Sequence, residues 1–345
     1  RPDSLNEGFL VSAPLDYEPT ASEVHADTAR VCEDVREFYG LNLEPNSAGA
    51  KIIANLHGLS NKSIQRLAAD LYAAEVHFVL ELLQNADDCS FPADKEPALK
   101  ISLSASRLEF RSNEQGFEKN NVRALCSIGD STKAGQIDQI GQKGIGFKSV
   151  FKVTKRPKIH SRNFHFEFCA PSLGPEIQDD GLGFIIPSPL PTPDGWNAES
   201  GTTIVLPFAE GNAPGELEDL RQQLKQQLHD IPASLLLFLN KLTCIEIHDE
   251  REGEYPYVRK MSKKKLPKHD RWQSLMPIVQ VHDSSTSATD PTQLITRQTE
   301  WLVVESILQT EMIYVSRPGV KQTKLAIAIP LVSPKQELPQ SKDVH

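Results

Sequence analysis

Cysteine is scarce and scattered. Cys32, Cys89, Cys126, Cys169 and Cys244 are the whole complement of 345 residues, and no two form a CxxC pair. That excludes a disulfide-knit secreted scaffold and a cysteine-rich zinc module, and it predicts reduced, mostly buried thiols. Cys89 reads as a small core residue rather than a nucleophile. No apolar run approaches the roughly 20 residues of a membrane-spanning helix, and the N-terminus lacks a charged-then-apolar leader. The expectation is a soluble chain of intracellular placement, nuclear or cytoplasmic. It starts at Arg1 rather than Met, as a piece of something longer would. Positive charge is also in deficit: 37 Lys and Arg against 46 Asp and Glu leave a net charge of −9. Grip on nucleic acid rests on neutralising phosphates, so this balance argues against a general nucleic-acid surface and leaves only a local patch open.

What is present suits a globular protein of two modest domains, with 39% apolar and 24% charged residues. Leu71 to Asp88 carries Val76, Val79, Leu80, Leu82 and Leu83, the apolar side of a helix packed on a sheet. Glu81, Asn85 and Asp88 recur at steps of four and three and so share one stripe. Glu81 and Asn85 lie about 6 Å apart along the helix axis. A carboxylate at that distance from an amide oxygen can polarise a water beside a hard cation, and magnesium prefers oxygen ligands and few protein groups. The bland reading is a solvated polar stripe, with Asp88 charging the helix end.

A glycine-rich loop follows some fifty residues later: Ile140-Gly141-Gln142-Lys143-Gly144-Ile145-Gly146-Phe147-Lys148. Gly141, Gly144 and Gly146 let backbone approach an anion closely. Ile145, Phe147, Val150, Phe151 and Val153 predict a helix beginning near Gly144, whose free N–H groups would face phosphate. Lys143 and Lys148 add charge. The spacing fits neither the dinucleotide fingerprint nor a P-loop. Alone, such a loop is as often a flexible turn.

These segments carry a resemblance. Glu81 to Asp88 resembles the N-box of the GHKL superfamily, which unites gyrase, heat-shock chaperone, histidine kinase and MutL ATPases. Ile140 to Phe151 resembles the chaperone form of its glycine box. The similarity is closer to NO VEIN-like and sacsin-like proteins, through Leu71-Tyr72, His77 to Glu81, Asn113-Glu114-Gln115-Gly116-Phe117, Ser131-Thr132-Lys133 and Gly144 to Phe151. Ser200-Gly201-Thr202-Thr203 matches the superfamily's last nucleotide motif. Four motifs in order cover about Asn61 to His248.

The resemblance implies ATP and Mg2+ as cofactors. It makes Glu81 the general base that activates water, Asn85 the magnesium ligand and Asp88 a support for the covering loop. Gly141, Gly144 and Gly146, with Lys143, Ile145, Phe147 and Lys148, would surround the phosphates. Ser131, Thr132 and Lys133 would lie on a lid over Gly129 to Lys143, and Thr202 would reach adenine. The usual adenine box, Asp-x-Gly-x-Gly, is altered here. Taking Gly116 as its second glycine sets Ser112 on the Asp position and Glu114 on the first glycine, with Phe117 following. A shift of one or two residues offers Asn113 or Glu114 as the acceptor instead.

The expected fold is α+β, a two-layer sandwich of the GHKL type. Its divisions are an N-terminal arm and helix (1–60), the ATP-binding domain (61–250) and the start of a second, mostly β module (251–345). Helices are expected over Ala21 to Tyr39 (after a Ser22 cap), Asn61 to Leu71, Asn120 to Ile128, Glu216 to His229 and Pro232 to Leu242. Strands are expected at Leu99 to Leu103, Leu108 to Arg111, Phe164 to Phe168, Gly183 to Ile186, Thr203 to Leu206 and Cys244 to His248. Further strands are expected at Trp301 to Gln309, Glu311 to Val315 and Thr323 to Leu331. The basic run Arg259 to Lys265 reads as a solvated hairpin tip, an import signal or a phosphate-facing patch.

The activity so implied is slow, magnesium-dependent ATP hydrolysis that drives lid closure and nucleotide-dependent homodimerisation, with ATP and ADP as ligands and an unspecified protein client. Three other readings use the same residues: a kinase, a nucleotide switch or scaffold without turnover, and a nucleic-acid clamp resembling the MORC ATPases. No His on a phosphoacceptor helix is evident before the N-box, since His57 is preceded by connective sequence, and this counts against the first.

Overall fold

The computed structural model describes residues 24–42, 77–126, 146–170, 183–208, 214–250, 257–266, 278–286, 294–309 and 322–331. In chain order these form α1 (Ala26–Phe38), α2 (His77–Asp88), β1 (Ala98–Leu103), β2 (Arg107–Ser112), α3 (Lys119–Cys126), β3 (Lys158–Ser161), β4 (Phe164–Glu167) and β5 (Ser188–Pro189). There follow β6 (Thr202–Pro207), α4 (Pro214–His229), β7 (Cys244–Asp249), β8 (Tyr257–Lys265), β9 (Ile278–Thr286), β10 (Leu294–Gln309) and β11 (Gln322–Leu331). Short 3-10 helices occupy Gly146–Lys152, Ala198–Ser200 and Ala233–Phe238.

The protein is mixed α/β. All eleven strands join one open sheet in the order β11-β10-β9-β8-β7-β1-β2-β6-β3-β4-β5. Neighbours run antiparallel except β1 and β7, which are parallel. Alternation along each strand decides which face is buried. Leu99, Ile101, Leu108, Phe110, Ile159, Phe166, Leu206, Ile245, Ile247 and Met261 fall on one face and share a core with Phe78, Val79, Leu82 and Leu83 of α2 and Leu224 and Leu228 of α4. The intervening residues turn the other way and pair by charge, as in Arg111–Glu109 (2.7 Å) and Lys260–Glu246 (2.9 Å).

After residue 250 the chain adds β8 to β11 to the β7 edge of this sheet. The Ala233–Phe238 helix lies against β8 and β9, with Leu237, Val279, Val281 and Val303 in a small second core. At the other end, α1 packs on α3, β4 and β5. Thr28 Oγ1 donates to the Asn163 carbonyl (2.7 Å) and accepts the His165 N–H (3.0 Å), and the Tyr39 hydroxyl donates to the Cys126 carbonyl (2.9 Å). His25 caps α1 by accepting the Asp27 N–H at 3.2 Å, so the helix starts beyond the expected Ser22 position. Asn61 to Leu71, Gly129 to Lys143 and Glu311 to Val315 lie outside the described residues.

Three local expectations need correction. Gly183 to Ile186 is a turn rather than a strand; Gly183 packs so tightly that a Cβ there would sit 1.7 Å from the Cys169 carbonyl oxygen. The helices expected near Gly144 and over Pro232 to Leu242 are short 3-10 turns. Arg259 to Lys265 is the body of β8 and not a hairpin tip. Alternate cations of that run turn inward: Arg259 Nη1 donates to the His229 and Ile231 carbonyls (2.8 and 2.9 Å), and Lys263 Nζ to those of Leu236 and Leu239 (2.8 and 2.5 Å). Those carbonyls terminate helical segments, where cations are favoured.

Candidate functional site

Helix α2 sets one wall. Val79, Leu83 and Asp87, spaced by four, are all essentially buried, so Asp87 continues the apolar stripe. Its carboxylate accepts the backbone N–H groups of Asn240 (2.7 Å), Lys241 (2.8 Å) and Leu242 (2.8 Å). Lys241 Nζ in return donates to the Asp88 and Cys89 carbonyls at 2.9 and 2.6 Å, satisfying the end of the helix. Glu81 and Asn85 are half-buried and Asp88 is buried. Among the described residues no hydrogen bond or ion pair is formed by the Glu81 carboxylate.

A second wall comes from the ends of β2, β3 and β6. Ser112, Thr202 and Ser161 sit directly opposite one another across these strands, so the three hydroxyls form a row on the helix-covered face. The Phe117 N–H donates to Ser161 Oγ (2.7 Å), Ser161 and Thr202 hydroxyls are 2.6 Å apart, and Thr202 donates to the Glu114 carboxylate. Because Thr202 gives its one proton to Glu114, Ser161 must donate to Thr202, and the proton order runs Phe117, Ser161, Thr202, Glu114. Glu114 is only 4% exposed. Burial pushes its carboxyl above the usual carboxylate range, against opposing hydrogen bonds from Thr202, the Gly116 N–H and the Cys89 thiol and the nearby Arg162 charge.

The remaining members of the altered box have separate duties. Asn113 Oδ1 accepts the Ala98 N–H (2.9 Å) while Nδ2 donates to the Glu96 carbonyl (2.8 Å), tying the box to the start of β1. Gly116 has φ +87°, and a Cβ there would lie 2.5 Å from Arg162 Cγ. Gly201, at φ +82°, leaves no space either, since its Cβ would be 2.0 Å from the Ser112 carbonyl oxygen. Ser112 Oγ is buried and has no hydrogen-bond partner among the described residues.

The 3-10 helix Gly146–Lys152 packs against α2. Phe147 is buried beside Phe168, with ring centroids 5.9 Å apart. Lys148 also points into the core: Nζ donates to the Leu125 and Phe184 carbonyls, each at 2.6 Å, and lies 4.2 Å from the Phe168 ring centre. Burial lowers its ammonium to about 8. Ser131, Thr132, Lys133, Gly141, Lys143, Gly144 and Ile145 lie outside the described residues.

The structure therefore brings together Glu114, Gly116, Phe117 and Thr202, joins α2 to Gly146–Lys152, and directs Phe147 and Lys148 inward. Sequence reasoning missed Asp87, Lys241 and Ser161. A carboxylate continuing the Val79–Leu83 stripe was a readable sign for Asp87; nothing local marks Ser161. Among the described residues there is no cluster of three or more His, Cys, Asp or Glu able to hold a metal, and no helix is long and apolar enough to cross a membrane.

By fold and site, then, this is a mixed α/β protein with an open sheet and a buried carboxylate–hydroxyl cluster beneath a helix. Residues 62–173 match the sacsin domain family. The chain is similar to Protein NO VEIN of Arabidopsis thaliana, 35% identical over 276 residues, which cover 75% of this chain and 9% of that protein. It is also similar to Sacsin of Homo sapiens, 34% identical over 102 residues, covering 26% of this chain and 2% of that protein. These matches support a NO VEIN/sacsin-like family for the chain, which spans less than a tenth of the length of either relative. A solved N-terminal domain of a DNA repair protein aligns over 64% of this chain and 69% of its own, at TM-score 0.36 and 11% identity, too distant to bear on the fold.

Proposed function

We propose that the chain is an ATP-binding domain of GHKL type that hydrolyses ATP slowly and uses the cycle to close a lid. The Glu114–Thr202 hydrogen bond is the observation that carries this reading. It gives a buried carboxylate, fixed by a hydroxyl, beside a helix with Glu81 and Asn85 on its half-buried side. Helical segments gathered on one sheet face fit the expected sandwich.

The geometry also favours one of the three base-reading alternatives. Asn113 is occupied by backbone on both sides of its amide. Ser112 offers a hydroxyl and no charge. Glu114 then takes the acidic position of the adenine box, with Gly116 as its first glycine. An ionised carboxylate has about four lone-pair sites, and Thr202, Gly116 and Cys89 engage three, so one acceptor site is left for the adenine amine.

In this reading Glu81 orients and deprotonates the attacking water. Asn85 would hold Mg2+ together with the phosphates, and the ion would neutralise their charge. Lys148 supports the core beneath the phosphate loop rather than touching phosphate.

Phosphate release and ATP calorimetry on wild type, Glu81→Ala and Asn85→Ala test the proposal. Glu81→Ala should bind ATP and lose turnover, and Asn85→Ala should lose magnesium-dependent binding. Equal turnover in wild type and Glu81→Ala would remove the hydrolytic assignment, and binding without turnover in wild type would leave a nucleotide switch. Mass in solution with a non-hydrolysable analogue then tests for a nucleotide-dependent dimer.

A further inference from the structure

Ser112 is the one member of the hydroxyl row with no hydrogen-bond partner. It is 5% exposed, yet among the described residues Oγ has no hydrogen-bond partner, whereas Thr202 and Ser161 beside it are both engaged. Buried hydroxyls are nearly always satisfied, because desolvation without a replacement bond is unfavourable. Its position narrows what could satisfy it. On one side it faces Leu99 of β1, which is buried and apolar; on the other it faces Thr202, whose hydroxyl already accepts from Ser161 and donates to Glu114. The backbone behind it is closed by Gly201, packed against the Ser112 carbonyl. A partner must come from the helix-covered side, where Glu114 also lies.

We propose that Ser112 is a second base-reading residue: its hydroxyl donates to the adenine ring nitrogen N1 while the Glu114 carboxylate accepts from the exocyclic amine. This rests on the ATP-binding reading above. The two groups then present one donor and one acceptor to the acceptor and donor on the adenine edge. Guanine reverses that order, placing a carbonyl oxygen against the carboxylate and an N–H against the hydroxyl, so the pair selects adenine. Hydroxyl-to-ring-nitrogen recognition also accounts for a buried serine at a strand position directly beside apolar Leu99.

The test is calorimetric titration of the intact chain with ATP and with 1-deaza-ATP, which keeps the amine and replaces N1 by C–H. Wild type should bind the analogue about tenfold more weakly than ATP, the loss expected for one buried hydrogen bond. Ser112→Ala should bind ATP about tenfold more weakly and no longer distinguish the two ligands, and Ser112→Thr should restore discrimination. Equal affinity of wild type for both ligands overturns the proposal without needing any variant. So does discrimination that persists in Ser112→Ala, which would assign N1 to Thr202 or a water. Wild type that binds analogue and ATP alike still upholds the nucleotide reading, whereas wild type that binds neither overturns both.

Discussion

The Asp87 carboxylate accepts the Leu242 N–H at 2.8 Å, and with it the N–H groups of Asn240 and Lys241, across more than 150 positions of sequence. This joins the helix bearing Glu81 and Asn85 to the segment between the Ala233–Phe238 helix and β7. At that segment's start, the Leu239 carbonyl accepts a hydrogen bond from Lys263 Nζ of β8. The candidate site and the strands that extend the sheet are therefore connected through one short stretch of backbone.

Replacing Asp87 should be costly for that reason. Asp87→Ala leaves the Asn240, Lys241 and Leu242 N–H groups without their acceptor, the last of them buried, and roughly 2–3 kcal/mol of stability should go. Asp87→Asn keeps one acceptor oxygen and should lose about half as much. Urea unfolding of the two variants beside wild type measures both, and equal stability would show that the N–H groups find other acceptors.

Gly201→Ala tests the close approach beneath the hydroxyl row. The new Cβ would lie 2.0 Å from the Ser112 carbonyl oxygen and 3.0 Å from Asn113 Cα, on backbone at φ +82°. Strain and overpacking together should cost roughly 2–4 kcal/mol. Thermal melting provides the measurement, and an unchanged midpoint would contradict the packing.

The sequence shows α2 and its stripe because apolar residues at helical spacing leave few alternatives, and it shows the β1–β2 hairpin through strict alternation. Direction is harder to read. Lys148 follows three glycines, which suggests phosphate, but its long stem carries the ammonium inward to the Leu125 and Phe184 carbonyls. Arg259 and Lys263 illustrate the same point in β8: a basic run looks solvated until strand alternation turns half of it toward helix-end carbonyls. The Glu114–Thr202 pair joins positions 88 apart, so its spacing in sequence carries no sign of it.

Acid should weaken the edge where α1 docks. His160 and His165 place their Nδ1 atoms 3.3 Å apart beside Trp196, and burial lowers them to about 3 and about 4, with the His165 and Lys158 charges adding to the effect on His160 and the His25 charge to that on His165. A base whose folded pKa is lowered binds fewer protons than the unfolded chain, so stability falls as pH drops below about 6.5 toward those values. His160→Gln should flatten that slope. Melting midpoints at about pH 7 and pH 5 check this; parallel slopes in variant and wild type would assign the acid sensitivity elsewhere.

Glu114 predicts the opposite trend. Burial raises its carboxyl, so the folded chain holds that proton longer and stability from this group declines as pH rises through the raised value. Glu114→Gln keeps an uncharged acceptor there. Its midpoint minus that of wild type should grow as pH rises above about 4.5, and a constant difference would mean that the cluster compensates the charge fully.

Lys148 separates a phosphate ligand from a core cation. Its folded pKa is lowered to about 8 by burial, so between about 8 and 10.5 the unfolded chain binds the extra proton and wild type gains stability as pH rises. Lys148→Met removes that gain and leaves two carbonyls without their donor, a loss of about 1–3 kcal/mol at neutral pH partly offset by the absence of a buried charge. ATP affinity, measured well below the melting transition, should change less than twofold, whereas a phosphate-binding lysine would lose tenfold or more. A large affinity loss at unchanged stability would restore Lys148 to the phosphate side of the loop.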